Sequence, residues 1–304
     1  GHPQGSHCLN AEPSNMTGAA PERPEFEIEP SDAVSIGDVE RPLSLVERVV
    51  YNESVQRLTV LVVLIAVWEL YARWLSNSLL FPTFTETVRT FWGDISNGVL
   101  IDRTFTSLRT LALGYGLGLA LAAVFTTFAV ASGIGTRILS TLTAMFNPLP
   151  AIALLPLALI WFGLGTPSLV FVIIHSVLWA VALNTLSGFR SVPETLRMSG
   201  RNIGLKGARY VGLILIPAAF PSILAGLKIG WAFAWRTLVA AELVFGVSSR
   251  SGGIGWYIFE ARNDLDTATV FSGLLTVILI GLFVESVIFR ALEARTVNLW
   301  GMQR

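Results

Sequence analysis

The chain has 304 residues, 53% of them hydrophobic and only 14% charged, with a formal net charge of zero and a mean hydropathy of +0.63. A soluble domain is far less apolar, so this composition places the chain in a lipid bilayer. The zero net charge offers no electrostatic footprint for a nucleic acid or another polyanion. The single cysteine excludes an intrachain disulfide and a thiolate metal cluster, and three histidines argue against a histidine metal site.

The N-terminal segment, residues 1–57, is rich in Glu, Pro and Ser and contains no apolar run of the signal-peptide type. A segment of this composition buries too little apolar surface to fold, so we predict a disordered or loosely ordered cytoplasmic leader. Met16 is a candidate start of the native chain, which would make residues 1–15 an extension. Residues 58–304 are predicted to form a single membrane domain.

Apolar runs after the leader predict six membrane-spanning helices. A helical crossing needs about 20 apolar residues, and residues 138–189 contain no Asp, Glu, Lys or Arg, which is room for two crossings. The predicted spans lie near residues 58–76, 104–131, 138–161, 168–188, 212–247 and 267–290. Pro217 and Pro221 remove backbone donors and are expected to break the long fifth span into a short leading segment and a main helix.

The loop between the fourth and fifth spans indicates the orientation of the chain. It contains one acidic residue and five basic residues: Glu194, Arg190, Arg197, Arg201, Lys206 and Arg209. The positive-inside rule therefore places this loop in the cytoplasm. Arg137, in the short loop between the second and third spans, and the basic C-terminal tail fall on the same side. Six crossings with both termini in the cytoplasm satisfy the charge pattern.

Ionisable residues inside an apolar span are costly and therefore suggest a function. The fifth span holds Lys228, Arg236 and Glu242, interleaved with Trp231 and Trp235. At about 100° per residue these five positions share an arc of about 140° on a helix. We interpret this arc as a face on a polar translocation path, where the cations would attract an anionic solute. The alternative is an ion pair of Glu242 with an arginine of another span, with Lys228 reaching the interface.

Two further features are candidates for the path. Asn147 and Pro150 lie in a proline-rich stretch at the start of the third span, and such stretches are tolerated in a membrane where they line a cavity. The alternative is a kink that packs against neighbouring helices. His175 lies in the middle of the fourth span, in FVIIHSVLW, where it is either a packed, hydrogen-bonded residue or a path residue.

Catalytic motifs are missing from the membrane part of the sequence. It contains no Ser/His/Asp set, no HExxH, no GxxxxGK[ST] phosphate loop and no paired carboxylates at helical spacing. We therefore predict a transmembrane subunit without enzymatic activity or a cofactor of its own. Any energy that it uses would come from another subunit.

The segment 191–221, SVPETLRMSGRNIGLKGARYVGLILIPAAFP, resembles the EAA loop of permease subunits of bacterial ABC importers. In that family an EAA triplet is followed after three residues by Gly and, nine residues later, by Ile-x-Leu-Pro. The matching positions are Gly204, Ile214, Ile216 and Pro217, whereas the triplet positions hold Met198, Ser199 and Gly200. The segments LPAIALLPLALIWFGLGTPS (149–168) and GGIGWYI (252–258) resemble the nitrate, sulfonate, taurine and bicarbonate branch, and the resemblance covers residues 58–304.

The resemblance implies an all-α, six-span type I ABC importer permease with a cytoplasmic coupling helix, in the bacterial inner membrane. Two copies would enclose one path for a small anion such as nitrate, a sulfonate, taurine, bicarbonate or an organic acid. A periplasmic or lipid-anchored solute-binding protein would deliver the solute, and two ATPase subunits would bind ATP and Mg²⁺.

The resemblance places ATPase docking on the loop 191–217. The residues expected to serve it are Glu194, Arg197, Met198, Ser199, Gly200, Arg201, Gly204 and Lys206. The alternative to this interpretation is a secondary transporter or channel driven by an ion gradient. Such a protein would show paired internal repeats with matching broken helices, and the sequence contains no convincing repeat.

Overall fold

The computed structural model describes residues 52–245 and 252–296, which are helical and contain no strand. The chain divides into two units, residues 1–59 and 60–304. The described residues of the first unit, 52–59, lead into and begin the first helix. Most of the predicted leader, residues 1–51, lies outside the described residues, as do the ends of the fifth span and of the basic tail.

The described helices include long, apolar segments and shorter ones that lie between them in the chain. In chain order they are α1 (Glu53–Leu75), α2 (Phe84–Ser96), α3 (Val99–Ala131), α4 (Gly133–Phe146), α5 (Leu155–Phe162), α6 (Thr166–Ser191), α7 (Glu194–Asn202), α8 (Gly207–Tyr210), α9 (Ile216–Phe245), α10 (Ile254–Asn263), α11 (Thr267–Phe283) and α12 (Arg290–Arg295). A 3₁₀ turn, Ala151–Leu154, precedes α5. π-Helical turns, Val211–Leu215 and Val284–Phe289, precede α9 and follow α11.

Five of the six predicted spans are continuous helices in the structure. They run over Ser54–Leu75, Val99–Ala131, Thr166–Ser191, Val211–Val244 and Thr267–Arg295. The third predicted span, at 138–161, corresponds to a bent pair of helical segments, because α4 and the segment Ala151–Phe162 meet at 87°. Pro148 and Pro150 lie in this bend, where each removes a backbone donor and restricts the residue before it.

The expected break of the fifth span at its prolines is wrong. Helical structure continues from Val211 to Phe245, with Pro221 inside α9. The π-helical turn explains how Pro217 is accommodated, because the N–H of Ile216 bonds to the carbonyl of Val211, five residues back. Pro217 has no backbone N–H to donate. The wider π-helical turn shifts the hydrogen-bond pattern at this point, so that a different carbonyl is left without a donor.

Helix α6 lies at the centre of the second unit and packs against α3 and α9 along its length. Glycines of α3 allow the close approach: a Cβ added to Gly114 would lie 2.7 Å from Cγ2 of Ile173, and one added to Gly118 would lie 2.8 Å from Cβ of Val177. Ile173 and Val177 are fully buried. Small residues thus serve helix packing within the subunit here.

Helices α2 and α10 occupy regions that the sequence assigns to loops. Helix α2 begins with a capping box formed by Thr83 and Glu86. The hydroxyl of Tyr257 on α10 donates a hydrogen bond to the carboxylate of Asp94 on α2. Burial raises the pKa of Tyr257 above its ordinary value, so this hydroxyl stays protonated and keeps the bond. The two short helices are therefore tied together at one end of the bundle.

Candidate functional site

Four of the eight predicted path residues line one cavity of about 340 Å³. Asn147 and Pro150 come from the bend after α4, His175 from α6 and Arg236 from α9. Ser176 and Thr237 add hydroxyls, and no Asp or Glu occurs among the described residues of the lining. The bend thus opens a space between α6 and α9 whose only charged side chain, within the part of the chain that the structure describes, is a cation.

Several hydrogen-bonding groups of residues at this cavity have no partner among the described residues. Both ring nitrogens of His175 and Nε1 of Trp179 are buried without a hydrogen bond. The guanidinium of Arg236 lies 5.8 Å from the centre of the Phe233 ring and pairs with no carboxylate in the described ranges. A buried polar group left unpaired costs about 1–3 kcal/mol. A ligand or water that accepts hydrogen bonds would recover this energy.

Aromatic side chains hold the histidine in place. The ring of Phe146 stacks on Trp179 at 5.2 Å between centres, and its centre lies 6.3 Å from that of His175 in an edge-on geometry. Trp179 is only 8% exposed. Because these rings are packed rather than free in solvent, the His175 and Trp179 side chains that line the cavity are held in fixed positions.

Three other predicted path residues contact neighbouring helices and do not line this cavity. Nζ of Lys228 lies 2.7 Å from Oε2 of Glu293 on α12. Trp231 packs edge-on against Tyr115 of α3, and Nε1 of Trp235 donates to the carbonyl of Val277 on α11 at 3.2 Å. The predicted face of α9 is therefore divided between the cavity and helix packing.

Glu242, the eighth predicted path residue, is 4% exposed and is held by neutral donors. The hydroxyl of Ser107 on α3 lies 2.8 Å from each carboxylate oxygen, and the N–H of Gly255 donates to Oε2 at 2.8 Å. The oxygen of Ser107 also accepts from the N–H of Ile254 at 2.8 Å. The first turn of α10 is therefore clamped by Glu242 and Ser107. No arginine of the described ranges pairs with Glu242, as the alternative interpretation would require.

The glycines of the 252–255 segment are required by this clamp. A Cβ added to Gly253 would lie 2.0 Å from Oγ of Ser107 and 2.3 Å from Oε1 of Glu242. At Gly255 it would lie 2.5 Å from Cβ of Glu242. We call Ser107, Glu242, Gly253, Ile254 and Gly255 the Glu242 node. The sequence analysis did not identify Ser107. The GGIG motif at residues 252–255 was the available signal, because closely spaced glycines indicate that the backbone approaches other residues closely at that point.

The loop predicted to serve docking forms helix α7 and a glycine-terminated turn. The N–H of Leu205 bonds to the carbonyl of Gly200 at 3.1 Å, and the N–H of Gly204 bonds to that of Arg201 at 3.0 Å. Gly204 has φ +81°, the left-handed conformation that favours glycine. Together these features form a Schellman motif, which ends α7 at a defined residue.

Two of the predicted docking residues point into the protein. Nη2 of Arg197 donates to the carbonyl of Phe189 at 2.5 Å and its Nε to that of Val192 at 3.2 Å, so Arg197 fastens α7 to the end of α6. Gly200 is buried, and a Cβ there would lie 3.0 Å from Ile214 and from Tyr210. The third triplet position thus needs a small residue. The exposed members, which we call the α7 platform, are Glu194, Met198, Ser199, Arg201, Gly204 and Lys206.

Long apolar helices around a cavity that contains Arg236, with an exposed basic helix beyond them, describe a polytopic membrane transport protein. The family of inner membrane components of binding-protein-dependent transport systems matches residues 114–298. The chain belongs to this family of ABC transporter permeases and is a multi-pass inner-membrane protein. The type I permease fold expected from the sequence is confirmed, with a broken third span.

Several relatives are similar over most of the chain. A Methanocaldococcus jannaschii protein named as an ABC transporter permease is 30% identical over 238 residues, covering 77% of this chain and 88% of the relative. The nitrate import permease of a Synechocystis species is 30% identical over 256 residues, 80% of this chain and 89% of the relative. The taurine transport system permease of Escherichia coli K12 is 34% identical over 158 residues, 52% of this chain and 56% of the relative.

Proposed function

We propose that this chain is the permease subunit of an ATP-driven importer and that its solute is a small anion of the nitrate or sulfonate class. The observation that supports the anion is the cavity at Arg236, which is lined by a cation and by His175 and Trp179, whose ring nitrogens are unpaired, but by no carboxylate among its described lining residues. Relatives named for nitrate and taurine transport point to the same class of solute.

The chemistry of an oxoanion suits these donors. Nitrate and sulfonate groups carry several acceptor oxygens on one charged centre, and the planar guanidinium of Arg236 presents paired N–H groups that bind such oxygens bidentately. Hydrogen bonds to a charged partner contribute about 1.5–3 kcal/mol each. Arg236 would therefore supply charge, while His175, Trp179 and Asn147 would select for oxygen geometry.

The energy source is proposed to be a separate ATPase that binds ATP and Mg²⁺. The α7 platform supports this partner, because it is an exposed, basic helix that Arg197 fastens rigidly to a spanning helix. Two copies of the chain, both termini in the cytoplasm, would assemble with two ATPase subunits and receive solute from a binding protein. A movement of α7 would then be passed directly to α6, which lines the cavity.

Uptake by the reconstituted complex tests the proposal. The permease is coexpressed with its ATPase, placed in vesicles with its binding protein, and assayed with labelled nitrate and taurine in the presence and absence of ATP. We expect ATP-dependent uptake of at least one anion. Arg236→Gln should lower uptake about tenfold or more, since a tenfold loss corresponds to only ~1.4 kcal/mol.

Two variants serve as controls. Arg236→Lys keeps the charge but not the paired donors and should retain part of the activity. Arg262→Gln makes the same charge change on the exposed surface of α10 and should leave uptake unchanged. Uptake driven by a proton or sodium gradient without ATP would favour the secondary-transporter alternative. Equal uptake by wild type and Arg236→Gln would refute the role of the cavity.

A further inference from the structure

A second cavity, of about 300 Å³, lies next to the first and shares Asn147 and Pro148 with it. Its other lining residues come from two helices. They are Ser140, Thr143 and Ala144 on α4, and Leu183, Leu186, Ser187 and Arg190 on α6. The bend after α4 therefore separates two spaces, one on the Arg236 side and one on the Arg190 side.

The lining positions follow the helix period on both walls. On α4 they recur at spacings of three and four residues, and on α6 at the same spacings, so each helix presents one continuous stripe. The stripe on α6 extends from His175 in the first cavity to Arg190 in the second. At 1.5 Å per residue this is a length of about 22 Å, most of the thickness of the hydrocarbon layer.

The second cavity repeats the chemistry of the first. Arg190 is its cation, and no Asp or Glu is found among the described lining residues. Thr143 is 3% exposed, yet its hydroxyl has no hydrogen-bond partner among the described residues. The exposed guanidinium of Arg190 and the exposed Ser187, both in the lining, form a site that a hydrogen-bond acceptor with negative charge would complete.

Arg190 is not needed to cap the helix on which it lies. A cation in the last turn of a helix usually neutralises the terminal carbonyls. In this protein Arg197 binds the carbonyls of Phe189 and Val192 at that end, and Arg190 forms no ion pair with any residue in the described ranges. Its guanidinium therefore remains available to the cavity.

We infer that the second cavity is a second anion-binding station, which the solute reaches from the Arg236 cavity by passing Asn147 and Pro148. The inference rests on the proposed function for the identity of the solute. The two arginines hold the anion in turn, and the bend between them separates the stations. Each cavity offers one cation and a few neutral donors, so the affinity of each station is low enough for the anion to leave it.

Cysteine labelling measures the charge preference of the second cavity without requiring transport. Ser187→Cys is made in a Cys8→Ser background and reacted with two methanethiosulfonate reagents, the anionic sulfonatoethyl and the cationic trimethylammonioethyl compound. Their rates are normalised to those with a free thiol in solution. A cation in a low-dielectric cleft raises the local concentration of anions on the order of tenfold or more, so we expect the anionic reagent to be preferred by about that factor.

Matched variants identify the source of the preference. Adding Arg190→Gln should remove it, while Arg137→Gln, the same change at an exposed residue outside the lining, should preserve it. Nitrate should slow labelling by the anionic reagent when Arg190 is present and not when it is replaced. The second station would be overturned by a ratio near one, by a ratio that Arg190→Gln leaves unchanged, or by a folded Ser187→Cys variant that reacts with neither reagent.

The uptake assay distinguishes this inference from the proposed function. If the wild-type complex transports nitrate or taurine but the labelling ratio is near one, the permease assignment stands and the second station is refuted. If the ratio is high and depends on Arg190 but ATP drives no uptake, the station is supported while the proposed function fails.

Discussion

Arg236 and Glu242 lie on the same membrane helix, but their surroundings are opposite in kind. Glu242 is buried and receives hydrogen bonds from Ser107 and Gly255, so its carboxylate is satisfied by the protein itself. Arg236 opens on a cavity where neighbouring donors are also unpaired among the described residues. The protein supplies the hydrogen-bond donors of the Glu242 carboxylate, whereas it leaves the Arg236 guanidinium available to a ligand that enters the cavity.

This contrast refines the usual interpretation of charged residues in membrane spans. Such residues suggest a function because they are costly to bury. Where every donor and acceptor is paired within the chain, however, the residue joins helices, as Glu242 joins α3, α9 and α10. Functional candidates are those whose hydrogen-bonding groups remain unpaired. We call a site closed when its charged group is paired within the protein, as at Glu242, and open when it is not, as at Arg236. Matched variants of the closed site test this distinction, together with the Arg236 variants in the uptake assay.

The largest effect is expected at the closed site. Gly253→Ala places a Cβ 2.0 Å from Oγ of Ser107 and 2.3 Å from the Glu242 carboxylate, so the node must separate. We expect a loss of about 3–5 kcal/mol in stability, the range of severe core changes. Thermal unfolding in detergent and the amount of protein in the membrane measure it. Gly116→Ala, where a Cβ meets nothing within 4 Å, should cost no stability and gain up to about 1 kcal/mol from the helix propensity of alanine; an equal loss in both would contradict the clamp.

Glu242→Gln should have a smaller effect on the same node. The glutamine carbonyl can still accept from Gly255, and its amide can donate to Ser107, but the charge-assisted bonds become neutral. A loss of about 1–2 kcal/mol is expected, with uptake per folded molecule unchanged. Thermal unfolding and transport normalised to folded protein test both parts. Loss of uptake without loss of stability would contradict this prediction and would indicate that Glu242 acts in transport and not only in helix packing.

Gly204→Val tests the end of the α7 platform. A β-branched residue at φ +81° is strained by about 1–2 kcal/mol, while a Cβ itself meets no neighbour there. We expect the end of α7 to unwind and ATP-driven uptake to fall several-fold, with membrane insertion intact. Gly204→Asn, which adopts this conformation more easily, should retain more uptake. Normal transport by the valine variant would refute the docking role of the turn.

The smallest effect is expected for Gly200→Ala. The new Cβ would lie 3.0 Å from Ile214 and Tyr210, so both side chains must shift slightly. The higher helix propensity of alanine, about 1 kcal/mol, offsets this contact. Stability and uptake should stay near wild type, whereas Gly200→Leu should lower both. Tolerance of leucine would show that the third triplet position is not packed as observed.

The sequence predicted the spans that are continuous because apolar run length depends only on local composition. The fourth span, expected near 168–188, is α6 at Thr166–Ser191. The turn at Gly204 was also predictable, since the left-handed conformation there favours glycine. The sequence around each proline did not predict whether the helix would bend there. Pro148 and Pro150 lie in an 87° bend, while Pro217 and Pro221 lie within continuous helical structure.

The candidate path residues show the same limit. Helical spacing placed Lys228, Arg236 and Glu242 on one face of a helix, but it contained no information on what each would meet. Lys228 meets Glu293, and Arg236 meets a cavity. The helices α2 and α10 were missed because they are too short and polar to be recognised as spans.

By itself the sequence determined that this chain crosses a membrane several times, that its basic loop lies between two spans and that it belongs with the binding-protein-dependent permeases. These properties follow from hydropathy, charge and motif, which are local. Only the tertiary structure decided which charged side chains are paired within the protein and which remain available to a ligand. Ser107 reaches Glu242 across 135 residues of chain, and a partner at such a distance is chosen by helix packing, not by spacing along the sequence.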